Sequence, residues 1–536
     1  MDPRDELDDL SGPLDGDEDD DLGPDEEDDE ELEDAEGHLH ASAGDPRGEM
    51  APDDDEDGGL GPAFDLVPDD APEEPGEAVP LTDDEADDLL SRYQRIEAAL
   101  TRRWPESKIE PSLDRIGALV DLLGSPHLAV PVIHVAGTNG KTSTGRMIEA
   151  VLRALGLRTG LFTSPHLHNV RERIRIDGEA VDIERFVTVY DDIAPYIGIV
   201  DRGSANGGGP EMSFFEIMTG LAFATFADAP VDVVVLETGM GGTWDATNVV
   251  DAAVAVITPI ALDHMDYLGP DLESIAGEKA GIIKPGASVV LAAQELPVAE
   301  VLLRRCLEVE AVAAREGVEF GVLDRKPAVG GQLLALKGPS GTYDEVFLPL
   351  FGAHQAANAA IAVAAAEAFL GGGGQALNVD LVRQGFADVQ SPGRLEVVRR
   401  GPAVIVDAAH NPHGARALAA AISDSFEFSA LIGVVAVLSD KDARGVLEAL
   451  EPALTEVVIT RSSSPRALDV DSLAAIAVDV FGADRVEVAN RLSDALEIAV
   501  ERADETAGEL GGAGVLVTGS VVTAAEARAL LGRGEA

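Results

Sequence analysis

The sequence contains almost no cysteine and no long uninterrupted hydrophobic run. Its single cysteine, Cys306, excludes an intrachain disulfide framework and any zinc or iron–sulfur site built from several cysteines. The longest apolar stretches, such as residues 249–262, are interrupted by polar residues and proline, and none reaches the roughly 18 residues of a membrane span. The first residues have neither the basic nor the apolar part of a signal peptide. We therefore expect a soluble, cytoplasmic protein.

Positive charge is also scarce. The 536 residues include 39 lysines and arginines against 99 aspartates and glutamates, which gives a formal net charge of −60. Nucleic acids and anionic membranes are themselves polyanions, so neither is an expected partner. The charge is uneven, because residues 1–80 hold 34 acidic residues and two arginines. Such a segment cannot bury enough apolar surface to fold, and we predict a disordered acidic tail over residues 1–85.

After the tail, short β-branched runs alternate with helical segments. Strand-like runs occur at residues 132–135, 231–236, 252–258, 289–292, 403–406, 431–437, 456–460, 485–488 and 514–518. This alternation predicts an α/β fold with mostly parallel sheets, covered by helices on both faces. Residues 391–393 break the helical pattern, so we predict a large doubly wound domain over 86–390 and a smaller Rossmann-like domain over 391–536. Glycine-rich stretches at 203–210 and 371–374 are expected to be loops.

The most informative segment follows the first predicted strand and opens a helix. It consists of Gly137, Thr138, Asn139, Gly140, Lys141, Thr142 and Ser143. A phosphate-binding loop requires this context, because its glycines let backbone N–H groups approach a phosphate and the helix N-terminus adds its dipole. Lys141 would bring positive charge to the β- and γ-phosphates, although Val135 stands where the general motif has its first glycine. We predict that this segment binds ATP and that the larger domain is of the P-loop type.

The loop resembles that of the ATP-dependent Mur ligase superfamily, and further motifs resemble its folate branch, the dihydrofolate synthase/folylpolyglutamate synthase family. The matching motifs lie in order at residues 163–167, 172–175, 213–216, 237–242, 245–248, 262–264, 268–269, 275–284, 352–355, 393–396, 407–412 and 439–442. The resemblance implies amide bond formation, in which ATP phosphorylates a carboxylate and the amine of L-glutamate attacks the acyl phosphate. It implies dihydropteroate or reduced folates as acceptors, Mg²⁺ (two ions) and a monomeric protein.

The resemblance also implies a set of metal ligands. Glu237 and His264 look like magnesium ligands, joined by the hydroxyl of Ser164. Lys279 resembles a lysine that is carbamylated by CO₂ in the family and then holds a second metal, which requires an amine with a lowered pKa. Glu237 follows one predicted strand and His264 follows another, at the carboxyl ends where ligands bind in open parallel sheets.

In the smaller domain, Arg394 resembles an arginine that reaches the ATP phosphates. Asp407 and His410 resemble a pair that contacts the ribose and the reacting phosphate, and Asn358 is the expected contact on the adenine side. The family usually has glycine after this aspartate, whereas this chain has Ala408. The residues expected to act in catalysis are Lys141, His264, Lys279, Arg394, Asp407 and His410. Because they come from both domains, we expect catalysis to require domain closure.

The acceptor site is expected at four residues, Arg173, Phe214, Phe215 and Glu216, because a pterin ring favours aromatic stacking and polar contacts at its edge. Phe214 and Phe215 could equally belong to the hydrophobic core.

Two other functions remain as alternatives. A Mur-type ligase acting on a UDP-linked cell-wall precursor would need a separate nucleotide-binding domain before the phosphate loop, where this chain has only a short helical segment. A nucleotide-binding scaffold without turnover is disfavoured, since Lys141, Glu237 and His264 are all present.

Overall fold

The computed structural model describes residues 82–104, 110–372, 374–506 and 512–534. All but the last four positions of the predicted tail lie outside these residues. Helix α1 begins at Asp83, because the side chain of Thr82 accepts the N–H of Glu85 while the Glu85 side chain accepts the N–H of Thr82. This capping box satisfies two backbone donors at the helix start, so residues 83–85 belong to a helix and not to the tail.

Fifteen helices and seventeen strands lie within the described residues. The helices are α1 Asp83–Thr101, α2 Asp114–Leu122, α3 Lys141–Ala154, α4 Ile183–Asn206, α5 Phe214–Asp228, α6 Met265–Leu268, α7 Leu272–Ala280, α8 Leu296–Glu308, α9 Ala353–Gly371, α10 Val379–Ala387, α11 Pro412–Ser425, α12 Ala443–Leu450, α13 Val470–Phe481, α14 Leu492–Thr506 and α15 Val521–Leu530. The strands are β1 Val132–Ala136, β2 Thr159–Phe162, β3 Ile174–Ile176, β4 Glu179–Ala180, β5 Val233–Glu237, β6 Val254–Ile257, β7 Ser288–Leu291, β8 Val312–Arg315, β9 Gly321–Ala328, β10 Gly331–Lys337, β11 Thr342–Leu348, β12 Glu396–Arg400, β13 Ala403–Val406, β14 Ala430–Val435, β15 Glu456–Ile459, β16 Val486–Val488 and β17 Ala513–Thr518.

We call the described residues up to 390 the first lobe and those from 391 onward the second lobe. The first lobe contains an eight-stranded sheet in the order β4-β3-β2-β5-β1-β6-β7-β8. Strands β2 and β5 through β8 run parallel to β1, whereas β3 and β4 form an antiparallel hairpin at one edge. On β5, Val233 and Val235 pack into one core cluster and Val234 and Leu236 into another. Successive side chains of a strand point to opposite faces, so both faces of this sheet are covered.

A second, three-stranded antiparallel sheet of order β11-β10-β9 also belongs to the first lobe, and the sequence analysis did not predict it. It packs against helix α9, whose alanines lie in the same core cluster as Leu334, Leu336 and Tyr343 from this sheet. The α9 sequence AHQAANAAIAVAAAEAFLG is buried along most of its length. Small side chains allow such a helix to lie between two layers that both pack closely against it.

The second lobe contains a six-stranded sheet in the order β12-β13-β17-β14-β15-β16. The five strands from β13 onward are parallel, and β12 is antiparallel at one edge. Val404 and Val406 face one core cluster and Ile405 faces the other, so helices cover both faces here too. The predicted α/β architecture with mostly parallel sheets is confirmed in both lobes.

One predicted loop, over residues 203–210, is wrong in its first half. Helix α4 continues through Gly203 to Asn206, and Pro195 lies inside it. Its buried residues, among them Phe186 and Ile193, pack in a core cluster with Leu119 of α2, and this tertiary packing outweighs the low helix propensity of glycine and proline. No helix in the described ranges is long and apolar enough to cross a membrane.

Candidate functional site

A cavity of about 720 Å³ lies between the two lobes. Its walls are formed by segments that follow β1, β5 and β6 in the first lobe and β13, β14 and β17 in the second. Parallel strands in an open sheet present their carboxyl ends at the same edge, which is where ligands bind in this class of fold. The predicted site residues that line this cavity are Gly137 to Ser143, Ser164, Phe215, Glu216, Glu237, His264, Lys279, Asn358, Arg394, Asp407 and His410.

The phosphate-loop segment connects β1 to α3, and its geometry requires two of its glycines. Gly137 has φ of +150°, and a Cβ there would lie 1.8 Å from Oγ1 of Thr258. Gly140 has φ of +87°, and a Cβ there would lie 2.8 Å from Oδ1 of Asn358. Both positions therefore exclude any side chain, for reasons of space and of backbone conformation.

Two lysines converge on the loop. Nζ of Lys141 donates to the carbonyl oxygen of Gly137 at 3.1 Å, and Nζ of Lys279, on α7, donates to the same oxygen at 2.8 Å. Lys279 is buried, and burial together with the nearby charge of Lys141 lowers the pKa of its amine to about 7. A large part of Lys279 is therefore neutral near physiological pH, in contrast to an ordinary lysine.

Glu237 ends strand β5 and is almost fully buried. The hydroxyl of Thr142 lies 3.0 Å from each carboxylate oxygen, and the backbone N–H of Ser164 donates to Oε2 at 3.3 Å. Burial raises the pKa of the carboxyl, whereas the charge of Lys141 and these hydrogen bonds oppose the rise. The structure thus brings Glu237, Thr142 and Ser164 together.

His264 follows β6 and occupies the left-handed region with φ of +52°, at the start of the short helix α6. Burial lowers the pKa of its imidazole to about 3, the nearby charge of Lys441 acts in the same direction, and the carboxylate of Asp263 opposes both. The ring is therefore neutral at pH 7 and has one nitrogen lone pair available, as a metal ligand requires.

In the second lobe, Asp407 organises its own surroundings. Its carboxylate accepts the backbone N–H of Leu395 at 2.8 Å and of Ala409 at 2.7 Å, and it thereby fixes the segment that carries Arg394. Burial raises the pKa of this carboxyl, and the charge of Arg394 opposes that effect. The expected contact of Asp407 with a ribose stays a prediction.

The expected adenine-side residue, Asn358, lies on α9 against the phosphate loop. Its Nδ2 donates to Oε1 of Gln355 at 3.1 Å, and Nε2 of Gln355 donates to Oγ of Ser143 at 3.4 Å. Oγ of Ser143 in turn lies 3.1 Å from Oγ of Ser391 at the start of the second lobe. This chain of hydrogen bonds connects α9, the loop and the junction between the lobes.

Comparison with known proteins identifies the family. Residues 208–366 match the Mur ligase middle domain, and residues 393–521 match the glutamate ligase domain of Mur ligases. The dihydrofolate synthase/folylpolyglutamate synthase of Mycobacterium tuberculosis is 52% identical over 463 residues, which are 83% of this chain and 95% of the relative. This chain belongs to the dihydrofolate synthase/folylpolyglutamate synthase family.

Solved structures of family members agree with this assignment. The M. tuberculosis folylpolyglutamate synthase complexed with ADP superposes with a TM-score of 0.80 at 51% identity, over 84% of this chain and all of that one. E. coli FolC in complex with DHPP and ADP gives a TM-score of 0.72 at 31% identity, over 83% of this chain and 98% of that one. The Mur-type alternative is not favoured, because the named relatives belong to the folate branch.

At the other end of the cavity, the predicted acceptor residues divide into those that line it and those that do not. Phe215 and Glu216 line the cavity, whereas Phe214 and Arg173 are not among the lining residues. The Arg173 guanidinium instead lies over the Phe214 ring, 4.9 Å from its centroid. Phe214 and Phe215 are both half-buried and pack beside the hydrophobic core, but only Phe215 also lines the cavity and so combines the two alternatives left open by the sequence.

Two lining residues at this end were missed by the sequence analysis. Arg115 of α2 donates from Nε to Oε1 of Glu216 at 2.9 Å, in a buried ion pair. Trp104 lines the cavity beside it, and the Arg115 guanidinium lies 5.5 Å from the centroid of its ring. The pairing joins residues about a hundred positions apart, so no local pattern indicates it. The positions of the two side chains suit an aromatic acceptor with polar edges.

Proposed function

We propose that this protein is an ATP-dependent ligase that adds L-glutamate to dihydropteroate, to reduced folates, or to both. The terminal phosphoryl group of ATP passes to a carboxylate oxygen of the acceptor and ADP leaves. The amine nitrogen of L-glutamate then attacks the acyl carbon, an amide bond forms, and inorganic phosphate leaves with the former carboxylate oxygen. The observation that carries this proposal is a single cavity with the phosphate loop on one wall and the Glu216–Arg115 pair on another.

The charges of the cavity support a reaction between anions. ATP, the acceptor and L-glutamate are all negatively charged, and the whole chain carries a formal net charge of −60. Lys141, Arg394 and Lys441 nevertheless all line the cavity. Cationic side chains fixed in a partly water-excluded site stabilise the charge that develops on the transferred phosphoryl group.

Mg²⁺ fits the residues at the phosphate end of the cavity. No group of three His, Cys, Asp or Glu side chains in the described ranges is arranged to hold a metal alone, so phosphate oxygens and water would complete the coordination. Glu237, His264 and the Ser164 hydroxyl would hold one ion, and a carbamylated Lys279 would hold a second. The ions supply positive charge to the phosphates when bound.

The surroundings of Lys279 support the proposal that its side chain is carbamylated and serves as a ligand of the second ion. Carbamate formation joins the neutral amine to CO₂ and releases a proton, and the lowered pKa of Lys279 makes the neutral amine available. The modification would replace a buried cation by an anion in a place where Lys141 already supplies positive charge.

The remaining properties follow from the same assignment. We propose a cytoplasmic monomer that acts on small molecules and not on nucleic acid, as the net negative charge favours. The Mur-type alternative would need a separate domain before the phosphate loop. Of the described residues before β1, only α1, α2 and one short 3₁₀ turn form regular structure.

The deciding experiment measures phosphate release from ATP with Mg²⁺ and L-glutamate, in parallel with the mass of the product. The acceptors are dihydropteroate, tetrahydrofolate and none. We expect turnover with at least one pterin acceptor and a product heavier by one glutamyl residue. Turnover with both acceptors identifies a bifunctional enzyme. Phosphate release that is the same without an acceptor, or no ligated product with either, would refute the proposed function.

A further inference from the structure

One carboxylate of the first lobe holds several side chains at the interface between the lobes. Oδ1 of Asp263 accepts from Nζ of Lys441 at 2.6 Å and from the backbone N–H of His264 at 2.8 Å. Oδ2 accepts from Nδ2 of Asn411 at 3.0 Å and lies 3.5 Å from Nε2 of His410. Three of these four partners belong to the second lobe. Both oxygens are therefore fully used, mostly across the interface.

The same cluster extends to the phosphate loop. Nδ2 of Asn411 also donates to Oδ1 of Asn139 at 3.1 Å, and Nδ2 of Asn139 lies 3.3 Å from Oδ1 of Asn411. Asn411 caps α11 by accepting the N–H of Gly414, so its orientation is fixed within the second lobe. Asn411 of the second lobe is therefore hydrogen-bonded both to Asp263 and to Asn139 of the phosphate loop.

The cluster also compensates buried charge. The side chains of Lys441 and Asp263 are 6% and 7% exposed. Burial tends to raise the pKa of the Asp263 carboxyl, but the hydrogen bond from His410 and the positive charge of Lys441 hold it below its usual range. An ammonium group at this depth without a carboxylate partner would be strongly disfavoured.

We propose that Asp263 is a positioning residue that docks the second lobe onto the phosphate loop and holds Lys441 and His410 over the cavity. The kinetic part of this inference rests on the proposed function, because His410 and Lys441 act on the substrates only when the second lobe is docked on the first. The docking itself requires only the contacts described above. Asp263 also lines the cavity, and in this role it acts through these neighbours.

A second ion pair between the lobes provides a matched control. Arg325 on β9 and Asp424 on α11 join the lobes at 2.6 Å, with 22% and 36% of their side chains exposed, and neither lines the cavity. Asp424→Asn and Asp263→Asn remove the same charge from the same interface. Only Asp263→Asn removes the carboxylate from the cluster around the phosphate loop. Comparing the two variants therefore distinguishes docking at the site from surface attraction between the lobes.

The test combines energy transfer with kinetics. Dyes on Arg304→Cys and Glu501→Cys, both at exposed helical positions on different lobes, report the distance between the lobes, while the native Cys306 is buried. In Asp263→Asn we expect lower transfer efficiency and a fall in kcat of at least about 100-fold. The dissociation constant of ADP should change less than about threefold, because Lys141 and Gly137 both belong to the first lobe. Asp424→Asn should change each quantity less than about twofold.

Lys441→Met approaches the same contact from the second lobe, in case Asp263→Asn does not fold. It should also lower the transfer efficiency, and the double variant should lose far less kcat than the product of the two single losses, since it leaves no unpaired buried charge. Unchanged transfer efficiency in both single variants overturns the proposal. So does a kcat loss in Asp263→Asn that added Mg²⁺ restores, because Asp263 would then be a metal ligand. The energy-transfer result needs no acceptor, so it stands or falls separately from the ligase activity.

Discussion

The two lobes share an architecture but build their parts of the site differently. In the first lobe, the contacts that arrange Lys141, Lys279 and Glu237 are all made within the lobe. In the second lobe, Asp407 fixes its own backbone, but Lys441 contacts a carboxylate of the first lobe. The first lobe is therefore organised for nucleotide binding by itself, whereas part of the second lobe's contribution depends on docking.

This difference matches the chemistry that we propose. A phosphate-binding loop needs glycines and a helix N-terminus at fixed distances, which one lobe can supply. Bringing an acceptor, L-glutamate and ATP together needs cations from several directions, and closure of two lobes can exclude water while it supplies them. We therefore predict that substitutions in the first lobe impair both nucleotide binding and turnover. Those in the second lobe should impair turnover far more than nucleotide binding, although Arg394 and Asp407 are expected to contact the nucleotide.

The largest expected effect is that of Lys141→Met, which tests the first-lobe half of the comparison. Loss of the ammonium beside the phosphates should lower kcat about 1000-fold and weaken ADP binding at least about tenfold. Steady-state assays and calorimetry measure the two effects. Lys326→Met is the control, since this lysine is exposed and pairs with Asp324 on the same strand. If Lys141→Met kept a tenth of the activity, the loop would not carry the role assigned to it.

Asp407→Asn tests the second-lobe half and should have a smaller effect. The single amide oxygen can accept only one of the two N–H groups of Leu395 and Ala409, and the other would face a donor. We expect kcat to fall roughly 30-fold to 100-fold, with the ADP dissociation constant unchanged within about threefold. Asp469→Asn is the matched control. Asp469 also accepts a backbone N–H in this lobe, but it is exposed and lies far along the chain from Asp407. Tenfold weaker ADP binding in Asp407→Asn would break the comparison, because the expected contact of Asp407 with the ribose would then matter as much for nucleotide binding as the first lobe does.

Much of the fold was predictable because it rests on local patterns. The β-branched runs, the glycine loop before α3 and the break near residue 391 indicate a mostly parallel α/β fold directly. The antiparallel sheet β9–β11 was missed, although Gly330 and Gly341 lie between its strands, where glycine is a typical hairpin signal. The loop predicted at 203–210 overlaps the last four residues of α4, because the low helix propensity of glycine was given more weight than packing.

The site was predictable only to the extent that family motifs contain it. One cavity is lined by residues 137–143, Glu237, His264, Lys279 and Asp407. The order of these residues in the chain does not by itself reveal that they lie together. The contacts of Arg115 with Glu216 and of Asp263 with Lys441 join residues 101 and 178 positions apart. Such pairs follow from the three-dimensional arrangement of the lobes and leave no periodic signal in the sequence.

The smallest expected effect concerns Lys279, and it tests whether the first lobe completes its site without the second. With a pKa of about 7, the neutral fraction of this amine rises about tenfold between pH 6 and pH 8, so carbamate formation at constant dissolved CO₂ should rise with it. NMR with ¹³C-labelled bicarbonate should show a carbamate carbonyl signal that increases over this range. Lys279→Met should lack the signal, and activity at pH 8 should drop a few-fold when CO₂ is removed. Full activity at pH 8 without any carbamate signal would contradict the modification and leave Lys279 as a buried amine that supports Gly137.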